Sequence, residues 1–158
     1  SDTSPAIDYM KFTIQFYESK KWCPDLLVII QPTSPIRSGE DIDRTIELIL
    51  NDPTADSAVS IVQLPHIFHP HKFKITKNGV LEPWLVDEGQ RTAAYELPDI
   101  FVRNCAVYVF RTKNILNNIT FGKKCLGYQM GQETGVDINS YLDFAFAEFF
   151  LNRRSNKI

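Results

Sequence analysis

The chain of 158 residues is long enough for one domain with a sizeable core, and its 44% hydrophobic content is that of an ordinary globular protein. A formal net charge of -2, with Lys and Arg scattered along the chain, gives no electrostatic basis for a nucleic acid or an anionic membrane as partner. No apolar run approaches the roughly 18 residues of a membrane span, SDTSPAIDYM lacks signal-peptide character, and Cys23, Cys105 and Cys125 fit neither a disulfide framework nor a zinc site, so the expectation is a cytoplasmic chain with reduced thiols.

A helical pattern runs to Lys21, and Leu26 to Ile30 then reads as a strand buried on both faces. The strand must end in the segment QPTSPIRSG, residues 31 to 39, because Pro32 and Pro35 lack amide hydrogens and push Gln31 and Ser34 towards extended geometry. Ser38 followed by Asp41 fits a capping pattern, and Ile42, Ile46, Ile49 and Leu50 supply the apolar stripe of a helix from Gly39 or Glu40 to Leu50. Ser57 to Gln63 reads as a second buried strand. A strand, helix, strand crossover implies a parallel sheet, and ligands of such sheets bind beyond the carboxyl ends of the strands. Gln31, Thr33, Ser34 and Arg37 are therefore binding candidates, the alternative being a loop that only caps its helix.

The stretch from Lys72 to Tyr95 is more polar and irregular than its flanks and reads as a protruding insertion. His66, His69 and His71 crowd this region, but their spacing follows prolines and no carboxylate pattern completes a zinc site. Asn104 opens a strand from Cys105 to Phe110. Asp137 and Asn139, two residues apart in an extended segment, can face the same way. A helix from Ser140 to Leu151 closes the pattern, its Phe144, Phe146, Phe149 and Phe150 reading as core or interface.

QPTSPIR, GEDID, ADSAVSIV, HPHK at 69 to 72, ELP at 96 to 98, RNCAVYVF at 103 to 110 and DINSYLDFAFAE at 137 to 148 occur in the order found in acylneuraminate cytidylyltransferases, the CMP-sialic acid synthetases, and nearly the whole chain resembles that family. The resemblance implies a mainly parallel, Rossmann-type α/β sheet flanked by helices, with residues 65 to 100 as a dimerisation and sugar-binding extension. It implies transfer of the cytidylyl group of CTP to an acidic nine-carbon sugar, magnesium as cofactor and a homodimer. It places Gln31, Ser34, Arg37, Lys72, Arg91 and Asn104 at the substrates, with Arg103 as the alternative carboxylate partner, and Asp137 and Asn139 at the metal. The chain matches the C-terminal two thirds of such an enzyme and lacks the strand and loop that cradle the CTP phosphates. A non-catalytic acidic-sugar binding or dimerisation module is accordingly the alternative reading. Further departures are Cys105, where the family usually has glycine, Asn139, where it usually has aspartate, and the longer gap between Arg91 and Leu97-Pro98.

Overall fold

The structure is a computed structural model that describes residues 5–85 and 97–155. Helix α1 spans Ala6–Ser19, β1 Leu26–Ile29, α2 Gly39–Asn51 and β2 Ser57–Gln63. Two single 3-10 turns follow, at His66–Phe68 and Pro70–Lys72, and then β3 Lys74–Lys77, β4 Val80–Pro83, β5 Phe101–Arg111, α3 Thr112–Leu116, β6 Cys125–Met130, a 3-10 turn at Gln132–Gly135, and α4 Tyr141–Ser155.

The main sheet has the order β1-β5-β2-β6. Three of its strands point the same way, but β5 lies between β1 and β2 and runs against both, so only the β2–β6 pairing is parallel. The expected mainly parallel sheet is thus corrected: α2 carries the chain over one strand position, and the gap is filled by an antiparallel strand from much later in the sequence. The reading of β1 as buried on both faces is corrected too. Its four residues are partly buried and pair with β5 alone among the described strands.

Alternation along β5 decides what each face packs against. Val107 and Val109 join Ile49, Ala58, Val62 and Met130 beneath α2, whereas Phe110 turns to the other face and meets Met10 and Ile14 of α1 and Ile115 of α3. Helix α2 begins where the sequence places it, since Ser38 Oγ accepts from the Asp41 amide at 3.3 Å and the Asp41 carboxylate accepts from the Ser38 amide at 2.6 Å. Its carboxyl end is held by Arg111, which donates to the carbonyls of Ala55, Ile49 and Asp52 at 2.8, 3.0 and 3.2 Å.

Part of the irregular stretch is ordered as a separate hairpin, β3 against β4. Its turn is Asn78-Gly79, both with positive φ (51° and 81°), which matches the twist of a two-residue hairpin. Close approach explains another glycine. A Cβ on Gly122 would lie 2.3 Å from the Asp56 Cβ, and the Asp56 carboxylate accepts from the amides of Lys123 and Lys124 at 2.8 and 3.1 Å.

Candidate functional site

The carboxyl ends of β1, β2 and β6 and the amino end of β5 share one edge of the sheet, fixed by the pairings Ile29 with Tyr108, Val62 with Val102 and Val62 with Met130. In open α/β sheets this edge is where ligands are bound. Between the pairs Val59–Tyr108 and Ile61–Arg103 the register breaks, because β2 advances by two residues while β5 advances by five. The extra length is a bulge that contains Asn104 and Cys105, and it turns side chains out of the regular alternation. Cys105 takes φ of 61° there, a conformation that favours glycine.

Asn104 and Ser34 are buried at 3% and 1% exposure, and they join two segments remote in sequence. The Asn104 carboxamide accepts from Ser60 Oγ at 2.6 Å and donates to Thr134 Oγ1 at 3.2 Å, while Ser34 Oγ donates to the Asn104 carbonyl at 3.3 Å. Ser60 Oγ in turn accepts from the Val107 amide at 2.9 Å. This network differs from the sequence expectation that Asn104 presents its amide to a ligand. The carboxamide is used inside the protein, where an unpaired polar group would be costly, so Asn104 shapes the site by holding the bulge to the loop.

Arg37 has a similar inward role. Its Nη1 donates to the carbonyls of Gln31 and Ser34 at 2.5 and 2.7 Å, which fastens the loop that Pro32 and Pro35 already stiffen. The same loop is tied to the residues after β6, because the Ile138 amide donates to the Thr33 carbonyl at 2.8 Å. Asp137 and Asn139 are thereby brought to the loop of Gln31. Asn139 Nδ2 donates to Asp137 Oδ2 at 3.1 Å, and Asp137 Oδ1 is buried without a hydrogen-bond partner. Ser140 starts α4 with a capping box, and its hydroxyl, with the amides of Asn139 and Ser140, holds the Asp143 carboxyl below the usual carboxylate range.

Gln31 opens onto a cleft of about 520 Å³ whose other walls include Ile7 and Met10 of α1, Arg103, Cys105 and Tyr108 of β5, and Phe121. The Arg103 guanidinium stacks 4.7 Å from the Phe121 ring centroid and is the one cation among the described residues lining the cleft. Burial, with smaller contributions from Cys105 and Asp137, pushes the Tyr108 hydroxyl well up, so it remains protonated at neutral pH.

Lys72 is not part of this cleft. Its ammonium lies 3.0 Å from His66 Nδ1, in a cluster where the rings of His69 and His71 stack with centroids 5.2 Å apart. Arg91 lies outside the described residues. Sequence reasoning did not single out Tyr108 or Phe121, and it missed β6, whose Leu126, Tyr128 and Met130 alternate clearly enough to have signalled a strand. Among the described residues no group of three His, Cys, Asp or Glu side chains converges as a metal site.

No family model matches the chain. It is 24% identical over 157 residues, 98% of its own length, to the post-translational flagellin modification protein B of Campylobacter coli. A second relative, the CMP-N,N'-diacetyllegionaminic acid synthase of Campylobacter jejuni, is 32% identical over 69 residues, or 43% of this chain. The chain spans 65% of the first relative's length, and the second match covers 29% of that protein. Among solved structures, the CMP:2-keto-3-deoxy-manno-octonic acid synthetase complexed with CTP superposes with a TM-score of 0.61 over 96% of this chain and 70% of its own, at 13% identity, and the two share a fold.

Proposed function

We propose that this chain is part of a cytidylyltransferase that activates an acidic sugar of the nonulosonate kind with CTP, giving the CMP-sugar and pyrophosphate. The observation that carries the reading is the convergence on one sheet edge of the Gln31 loop, the Asn104–Cys105 bulge and the Asp137–Asn139 pair, which are far apart in sequence and bonded through Thr33–Ile138 and Ser34–Asn104. The names of the C. jejuni relative and of the CTP-bound structure support the same class of substrates.

In the reaction the anomeric hydroxyl of the sugar attacks the α-phosphorus, a new P–O bond forms, and the bond to the pyrophosphate leaving group breaks. Little covalent chemistry is asked of the protein, so its task is alignment and charge stabilisation. The Gln31 side chain, which can both donate and accept, suits sugar hydroxyls. Arg103 is the cation placed to meet a negative group in the cleft, and the protonated Tyr108 hydroxyl can donate there. Asp137 and Asn139 fit a magnesium ion, because the buried Asp137 Oδ1 lacks a partner and the Asn139 amide, donating through Nδ2, leaves its carbonyl oxygen as a hard donor. Such an ion, when bound, lowers the charge on the triphosphate and its leaving group.

The active form is proposed to be a cytoplasmic homodimer. Ile67, Phe68, Leu81 and Trp84 of the extension, each more than half exposed, support an interface there. The test is pyrophosphate release from CTP and magnesium with N-acetylneuraminate, N,N'-diacetyllegionaminate or 2-keto-3-deoxy-manno-octonate, using the whole protein and this chain. The whole protein is expected to turn over at least one of the acids. Acidic-sugar binding without turnover by the whole protein would leave the non-catalytic module as the better reading.

A further inference from the structure

The bulge in β5 decides which of its side chains reach the cleft. Before it, Arg103 and Cys105 line the cleft; beyond it, Tyr108 and Phe110 do, while Ala106, Val107 and Val109 are buried under α2. Residues three apart in a regular strand point to opposite faces. The extra length in β5 instead brings Cys105 and Tyr108 onto one wall, where the thiol is near enough to the Tyr108 hydroxyl to interact with it. Gln31, two residues past the Ile29–Tyr108 pair, borders the same cleft.

Cys105 is strained in this position. With φ of 61° its Cβ crowds the backbone, and a glycine would occupy the same bulge without that strain. Strained residues cluster where a site makes use of them, so the side chain at this position calls for a role. A nucleophile is not needed, because the proposed transfer is a direct displacement at phosphorus. Among the described residues, moreover, no histidine or carboxylate lines the cleft to take a proton from the thiol. The remaining role is steric, since Cβ and Sγ fill room beside Tyr108 that a glycine would leave open to a ligand. Resting on the cytidylyltransferase reading above, we propose that Cys105 is a specificity-determining residue that sets an upper limit on the size of the acidic sugar admitted to the cleft. One methylene more or less in an apolar wall discriminates between substrates by about ten- to a hundredfold. Cys105 forms part of one wall only, so its effect belongs near the lower end of that range.

The experiment is pyrophosphate release by the whole protein. It compares kcat/KM for N,N'-diacetyllegionaminate, which carries two acetyl groups, with that for 2-keto-3-deoxy-manno-octonate, which carries none. A ratio of two substrates on one enzyme does not depend on how much of it is folded, so changes in stability do not enter. Cys105→Gly is expected to raise the ratio about tenfold or more while leaving the KM for CTP within about twofold. Cys105→Ala, which keeps the Cβ, should raise it less, and Cys105→Ser, close in size to the natural residue, should stay within about threefold of the wild type. Where neither acid is turned over, dissociation constants from calorimetry take the place of kcat/KM in the same comparison. A ratio that glycine leaves unmoved, a serine variant that behaves like the glycine one, or a glycine effect on the KM for CTP in place of the ratio would overturn the assignment while leaving the cytidylyltransferase reading intact. Neither binding nor turnover of the acids by the wild type and the glycine variant would overturn that reading, and this inference with it.

Discussion

Replacing Cys105 by glycine should stabilise this protein, although glycine ordinarily destabilises a strand. Cys105 has φ of 61° inside the β5 bulge, a region in which a Cβ crowds the following carbonyl at a cost of about 1–2 kcal/mol. Glycine removes that cost but restores backbone freedom to the unfolded chain, which offsets about 0.5–1 kcal/mol. The net expectation for Cys105→Gly against Cys105→Ala is a gain of about 0.5–1 kcal/mol, or roughly 1–4 °C in Tm for a domain of this size. Alanine is the proper reference, because it deletes the thiol and its contact with Tyr108 while keeping the Cβ in place. Cys105→Val should be the least stable of the three, since a β-branched side chain tolerates positive φ poorly. Thermal unfolding followed by circular dichroism compares the set. An alanine variant as stable as the glycine variant, or more so, would refute the strain argument and with it the role of the bulge in aiming Asn104 inward.

Asn104→Ala should cost about 1–3 kcal/mol in urea unfolding, because Ser60 Oγ and Thr134 Oγ1 lose a buried partner. Gly122→Ala is expected to lower the urea midpoint, since the new Cβ would fall within 2.4 Å of the Asp56 side chain in a left-handed position (φ of 68°). Asp52 is held down to about 2, chiefly by the hydrogen bond from Lys124 and then by Thr54. Because its folded value is depressed, the stability it contributes is present above the ordinary carboxylate value near 4 and is lost as pH falls towards 2; Asp52→Asn should flatten the urea midpoint across that window. In the whole protein, Asn139→Asp should lower the magnesium concentration needed for half-maximal pyrophosphate release, and an unchanged or raised requirement would remove Asn139 from the metal site.

The parts of this fold legible in sequence are those decided locally. Ser57–Gln63 was readable as a strand from its own apolar run, and α2 from the Ser38–Asp41 pair and its stripe, because capping and amphipathicity act within a few residues. The place of β5 was not readable. Whether β1 lies next to β2 or next to β5 depends on which long-range pairing wins, and a buried apolar run carries no label for its neighbour or for that neighbour's direction. The hairpin at Asn78-Gly79 is a different case, since an Asn-Gly turn signal lay in a stretch read only as a polar, irregular insertion.

The candidate site divides along the same line. Polar residues at strand ends mark an edge, but sequence does not say which way each side chain faces. Asn104 and Arg37 have the chemistry of ligand-binding groups, yet their hydrogen bonds go to Ser60, Thr134 and the carbonyls of Gln31 and Ser34. On the proposed function, such groups act on the ligand through preorganisation. A loop stiffened by two prolines, fastened by a guanidinium and joined to a buried bulge holds Gln31 and Asp137 in place before any substrate arrives, and alignment of that kind is what a transfer without an enzyme nucleophile demands. On that reading the inward-facing residues and the cleft-lining ones serve one task at two removes from the ligand. Substitutions of the first kind should be felt as lost stability together with lost function, and those at Gln31 or Arg103 as lost function alone.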